Sequence, residues 1–283
     1  MGAVEKPQCF VFFALAWFGD KGTSMGKLRA VIAGTGFGAR VQAPGFQALP
    51  DYDLAAICSA RPERAEAAAR QLGIPQWYTD YGKMLAEIKP EVVSIVTPPS
   101  LHAPMTLAAC EAGAHVMCEK PLAMNVAEAR QMLELAERLK RVHAIDYEFR
   151  FLPARRYQKA LVDEGFVGEV RMLEATVFMT ARADPQREWN WWADAAQGGG
   201  MLGAIASHYI DTFLWLSRSE VVAVSAMLST FITERPFGGE RRTVTADDSC
   251  ALLLRFANGA QGVIHMSAVA AQPVNRLSVF GSQ

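Results

Sequence analysis

Gly34-Thr35-Gly36-Phe37-Gly38-Ala39 is the stretch whose residue types and spacing point most directly to chemistry. An apolar run, Ala30 to Ala33, reads as a buried strand entering this loop, and a helical segment leaves it. In such a G-x-G-x-x-A turn, Gly34 permits the tight exit from the strand. Gly36 lacks the side chain that would hold a pyrophosphate off the backbone, and Ala39 lets the helix pack closely on the strand. The free N–H groups and partial positive charge at the helix start favour a phosphate. The loop therefore predicts a dinucleotide-binding half-domain. Two other stretches carry groups able to exchange protons: Glu119-Lys120-Pro121, and His208 with Asp211 behind the run Gly198-Gly199-Gly200. Read locally, the first is more readily a solvated Glu–Lys pair and the second a packed or surface histidine.

The elements that must position these groups alternate between strand and helix. Asp53–Cys58 reads as a second strand. Pro62–Leu72 reads as a helix, with proline at its start and Gly73 past its end. Tyr81–Ile88 is a short helix, and Val92–Val96 is a continuous apolar run typical of a strand buried on both faces. Ser100 is expected to cap a helix running to Glu111. His115–Cys118 is a strand, and Asn125 with Glu128 forms a capping box on the next helix. Val142–Ile145 closes a parallel sheet covered on both faces. Beyond residue 146 the pattern changes. A helix over 153–163 precedes long strand-like runs at Val170–Thr180, Val221–Thr233, Cys250–Phe256 and Gln261–Ala270, with Asn258-Gly259 as a hairpin turn. One helix, about Ser207 to Leu216, interrupts them, and Arg276–Gln283 reads as a strand entering a turn.

The 283 residues suffice for two domains, and 51% hydrophobic with 20% charged residues is ordinary for a soluble globular chain. A formal net charge of −1 with no basic stripe argues against nucleic acid as a partner. The five scattered cysteines form no C-x-x-C, which suggests a reducing compartment and no metal site. Residues 1–24 stand outside the pattern: Cys9–Trp17 is apolar but too short to span a bilayer, and Met25 is the natural first residue.

GTGFGA at 34–39, TPPSLH at 97–102, CEKP at 118–121 and GGGMLGAIASHYID at 198–211 together resemble the Gfo/Idh/MocA oxidoreductases, over about residues 26 to 283. The resemblance implies an α/β architecture: a doubly wound parallel Rossmann sheet over 25–146, and an α+β substrate and oligomerisation domain over 147–283 with a large, mostly antiparallel open sheet. Residues 1–24 are a non-core extension, and the second domain reads as truncated. It implies an NAD- or NADP-dependent dehydrogenase that moves a hydride between the nicotinamide and a sugar, inositol or related cyclic alcohol. A cytoplasmic homo-oligomer joined through the second sheet is expected, with no membrane or nucleic-acid partner. A non-catalytic NADP-binding regulator and a nicotinamide-dependent glycoside hydrolase are the alternatives within the family.

By resemblance, Lys120 and His208 are the catalytic pair. A desolvated lysine beside a positive nicotinamide can exchange the hydroxyl proton that must leave as hydride moves. Pro121, its peptide bond cis, is expected to aim that side chain. The cofactor is expected at Gly34, Thr35, Gly36, Phe37, Gly38 and Ala39, at Thr97, Pro98 and His102, and at Glu119, Lys120 and Arg150. Ser59 and Arg61 end the second strand where an NAD enzyme would carry an acid, so NADP is slightly preferred over NAD. Trp191 and Trp192, in REWNWWAD with Trp189, are candidate faces for a carbohydrate-like substrate. Ala204 departs from the family, many of whose members have an aspartate four residues before the histidine.

Overall fold

The computed structural model describes residues 26–283. The readings of the 1–24 segment and of Met25 as the natural start lie outside them. The chain forms two compact units, the first ending at Leu152 and the second spanning Pro153–Gln283. No helix among the described residues is long and apolar enough to cross a membrane.

The first unit is built on six parallel strands: β1 (Leu28–Ala33), β2 (Tyr52–Cys58), β3 (Gln76–Tyr78), β4 (Val92–Ile95), β5 (His115–Glu119) and β6 (His143–Asp146). Their spatial order, β3-β2-β1-β4-β5-β6, is that of the dinucleotide-binding doubly wound sheet, with the reversal between β1 and β4. β4 is buried at all four positions, which is why its sequence reads as an unbroken apolar run. A π-helical turn, Gly38–Gln42, follows the glycine loop and runs into α1 (Ala43–Ala48). α2 (Pro62–Leu72) starts on its proline and stops at Gly73, whose φ of 65° is left-handed. α3 (Tyr81–Ile88) is capped by Asp80, which accepts the Lys83 N–H at 2.9 Å.

Two caps differ from expectation. Ser100 lies inside a 3₁₀ turn, Pro99–Leu101, so α4 (His102–Glu111) begins two residues later without a side-chain cap. Two successive prolines, Pro98 and Pro99, favour that tight entry. Asn125 does cap α5 (Val126–Arg138), accepting the Glu128 N–H at 3.0 Å. The Glu128 carboxylate takes the Met124 N–H at 3.0 Å and the Asn125 side-chain amide at 2.9 Å, rather than the Asn125 backbone.

The second unit opens with α6 (Pro153–Asp163) and carries α7 (Ser207–Ser217) against a five-stranded mixed sheet. The strands are β7 (Val170–Phe178), β8 (Val221–Ser229), β11 (Ser249–Phe256), β12 (Gln261–Ser267) and β13 (Val274–Gly281), in the order β13-β7-β12-β11-β8. The β7–β12 pairing is parallel and the other three are antiparallel. Gly262 lets Phe213 of α7 sit directly on β12: a Cβ there would come within 2.9 Å of the Phe213 ring. The opposite sheet face leaves Met172, Leu253, Val263 and Phe280 exposed.

The expected strand Val221–Thr233 stops at Ser229. A separate hairpin follows, β9 (Glu234–Phe237) and β10 (Glu240–Thr243), turned through Gly238-Gly239 at positive φ. Its strands, ERPF and ERRT, lack apolar alternation. They are held by contacts from elsewhere: Trp189 donates its indole N–H to the Thr243 carbonyl at 3.0 Å and packs under Arg242 at 3.7 Å.

Candidate functional site

In the first unit, the predicted loop stands at the carboxyl end of β1. Gly34 has a φ of +124°, and a Cβ there would lie 2.2 Å from the Val96 carbonyl oxygen, so only glycine fits. Gly38 and Ala39 both bring the helix onto the sheet core. A Cβ on Gly38 would come within 2.8 Å of Ile32 Cγ2, whereas Ala39 is accommodated beside the sheet core. Gly36 is exposed with no heavy atom within 4 Å of a built Cβ. That open space is what a diphosphate requires, so these residues fit the dinucleotide the motif implies.

Thr35, Ala39 and Arg40 form one wall of a cavity of about 540 Å³, and Arg64, Ala68 and Gln71 of α2 line it as well. Sequence reading singled out Ser59 and Arg61 for this end of the sheet. The Ser59 hydroxyl accepts the Arg61 N–H at 3.3 Å, and the Arg61 side chain does not line the cavity. Arg40 and Arg64 were missed. Their signal was their spacing, one residue past the glycine motif and three residues past Arg61.

Lys120 follows β5, and the Lys120–Pro121 peptide bond is cis. The turn is fastened to the end of β4 by His102. Its Nδ1 lies 2.8 Å from the Pro121 carbonyl oxygen and its Nε2 lies 2.9 Å from that of Thr97. His102 is fully buried, and desolvation together with the nearby Lys120 charge pulls its pKa below the usual value. Its ring lies between Thr97 and the turn that carries Lys120, and in its neutral form it donates to one of the two carbonyls. The Thr97 hydroxyl contacts the Met105 sulfur at 3.7 Å, and Pro98 is half-buried beside it. Glu119 also points inward. Its carboxyl accepts from the Gln42 amide at 2.8 Å, and the same amide donates to Asp146 at 3.0 Å. Arg150 sits half-buried in the 3₁₀ turn Glu148–Phe151 after β6.

In the second unit, Gly200 has a φ of +114°, and a Cβ there would lie 2.2 Å from Asp247 Oδ1. Asp247 accepts the Leu202 N–H at 2.8 Å and fixes the start of a π-helical turn, Leu202–Ala206, that leads into α7. That turn holds Ala204, 6% exposed. One turn on, His208 and Asp211 are buried in α7, 1% and 7% exposed, and the Thr212 hydroxyl bonds the His208 carbonyl at 2.7 Å. Asp247 was absent from the sequence reading, since nothing local links it to a glycine run more than forty residues earlier. The three tryptophans separate in role. Trp189 is a packed anchor. Trp191 and Trp192 lie half-buried in a 3₁₀ turn, Trp191–Ala193, with the Arg182 guanidinium 4.0 Å over the Trp192 ring.

Residues 28–147 match the model of an oxidoreductase family with an NAD-binding Rossmann fold, and residues 156–283 match the GFO/IDH/MocA C-terminal domain. The chain belongs to the Gfo/Idh/MocA oxidoreductases. This Gfo/Idh/MocA chain is 34% identical over 263 residues to levoglucosan dehydrogenase of Pseudarthrobacter phenanthrenivorans, covering 85% of this chain and 67% of that protein. It is 34% identical over 240 residues to D-glucoside 3-dehydrogenase of Escherichia coli, covering 82% and 68%. It thus spans about two thirds of the length of these relatives. Among solved structures, an oxidoreductase domain protein from Kribbella flavida superimposes with a TM-score of 0.84 at 34% identity, over 91% of this chain and 72% of that one. A levoglucosan dehydrogenase complex with NADH and levoglucosan does so with a TM-score of 0.82 at 32% identity, over 90% and 71%.

Proposed function

We propose that this Gfo/Idh/MocA oxidoreductase oxidises a secondary hydroxyl of a sugar, anhydrosugar or glycoside, with Lys120 as the proton-exchanging group and His208 as the second. The observation that carries this reading is the turn at Lys120. It is tied by His102 to the end of β4, beside the switch point where open parallel sheets bind their ligands. A bound nicotinamide would supply the hydride acceptor. The glycine loop would hold the diphosphate through backbone N–H groups, while Lys120 takes the hydroxyl proton and donates a hydrogen bond to the alkoxide as it forms. The chemistry of the two dehydrogenase relatives supports a pyranose-like substrate, and Trp191 and Trp192 are the faces proposed to stack on it. A nicotinamide-reduction screen across anhydrosugars, glycosides and inositols tests the substrate class; absence of turnover on every sugar removes it.

The proposed cofactor preference is NADP. No acid ends β2, and Arg40 and Arg64 line the cavity beside the glycine loop, where a 2′-phosphate would be paired. A charge-assisted bond contributes about 1.5–3 kcal/mol. Arg64→Ala should therefore weaken NADP binding about ten-fold or more and leave NAD nearly unchanged, as measured by calorimetric titration. Tighter binding of NAD than NADP by the wild type refutes the preference.

The exposed face of the second sheet is proposed to meet a second copy of the chain. Leu253 pairs directly with Val263, and Met172 with Phe280, so apolar side chains cross four strands on one face. Leu253→Arg should reduce the mass measured by light scattering to that of one chain. A wild type already of that mass rules the interface out. A cytoplasmic setting fits the four described cysteines, which are buried and unpaired.

A further inference from the structure

Gln42 is wholly buried, and it is the last residue of the π-helical turn that follows the glycine loop. A π turn re-phases a helix, and here the side chain reaches under three strands. Its amide nitrogen donates to Glu119 Oε1 on β5 and to Asp146 Oδ2 on β6, and its amide oxygen accepts from the Ser94 hydroxyl on β4. Glu119, Asp146 and Glu148 each place a carboxylate oxygen within 4.8 Å of the others. Glu119 and Asp146 are 7% and 2% exposed. Two carboxylates so close and so dry cannot both stay ionised.

We propose that Glu119 and Asp146, clamped by Gln42, share one proton, and that the single negative charge the pair keeps, on Asp146, lies beside Lys120, whose backbone N–H donates to Glu119 Oε2 at 3.3 Å. Glu119 is the protonated member. Burial and the Asp146 charge raise it well above the carboxylate range, and it hydrogen-bonds Asp146. Asp146 is also raised by burial, but bonds from Glu119 and Gln42 oppose that rise. The Lys120 charge acts on all three carboxyls in the opposite sense to burial. The other titratable groups around the pair are Glu148, pushed up to about 7 chiefly by burial, His102, shifted toward its neutral form, and the Cys118 thiol, raised by burial. Gln42 suits the clamp because an amide supplies two donors without adding charge. The pair rests on the reading of Lys120 only for its catalytic meaning.

The test compares two isosteric variants of the full chain. Asp146→Asn removes the negative charge beside Lys120. An amine-acylating reagent at neutral pH, with exposed Lys89 as internal standard, should then label Lys120 about ten-fold faster, counted by mass spectrometry. Glu119→Gln replaces a neutral donor by another neutral donor, and labelling should stay within about two-fold. In the infrared at pH 9, above the Glu148 titration, the wild type should show a protonated-carboxyl stretch that Glu119→Gln abolishes. Equal labelling changes in the two variants, no change in either, or no such band overturns the proposal. Wild-type turnover by Lys120→Ala would sink the catalytic reading and leave the labelling asymmetry standing. Unmoved labelling with Lys120→Ala inactive would do the reverse.

Discussion

Lys120→Ala should lower kcat by about 10²–10⁴, the usual contribution of a positioned acid or base. Nucleotide affinity should stay within about three-fold of wild type, because the diphosphate is assigned to backbone groups of the 34–39 loop. The substitution removes one half-buried amine at the head of a turn whose shape comes from elsewhere. The cis bond to Pro121 and the His102 bridge to Thr97 and Pro121 do not involve the Lys120 side chain. Steady-state kinetics with an identified sugar, alongside calorimetric nucleotide titration, checks both parts. Full turnover in the variant contradicts the assignment, and loss of nucleotide binding alone would reassign Lys120 to cofactor retention.

Gly34→Ala and Gly36→Ala should have opposite signatures although they lie two residues apart. At Gly34 the backbone is at φ +124° and a Cβ would lie 2.2 Å from the Val96 carbonyl oxygen. Neither the strand end nor the loop can yield without breaking the Gly34 N–H bond to the Cys58 carbonyl at 2.8 Å. A cost of about 3 kcal/mol is expected, together with loss of the loop's shape. That corresponds to a fall in Tm of roughly 5–10 °C, with no measurable nucleotide binding. At Gly36 the added methyl meets no protein atom within 4 Å. Stability should hold within about 0.5 kcal/mol, while nucleotide affinity drops about ten-fold or more because the methyl occupies the space left for the diphosphate. Thermal melts and titrations on both variants separate the two effects. Equal loss of stability would mean that Gly36 serves the fold, and unchanged affinity in Gly36→Ala would place the diphosphate elsewhere.

The gaps in the sequence reading share a cause with these predictions. A motif fixes which backbone positions must be small but not which small residue touches which neighbour. Ala39 packs against the core as the pattern implies, but Gly38, one residue earlier, is where a Cβ would collide with Ile32. The β9–β10 hairpin escaped notice because charged strands have no periodicity to read. It is held by Trp189 and Arg242, contacts between segments distant in the chain.

Strand and helix periodicity, the capping signals at Gly73 and Asn125, and the four motifs determined the parallel sheet, its glycine loop and the candidacy of Lys120, because each is a property of residues close in sequence. Tertiary structure alone decided the rest. It turned His102 inward as a staple and set Asp247 against Gly200. It also gathered Gln42, Ser94, Glu119 and Asp146 from one helical turn and three strands into a single buried cluster. Such groupings depend on where separate strands end in space and on how little water remains there, and neither is encoded in any local stretch of chain.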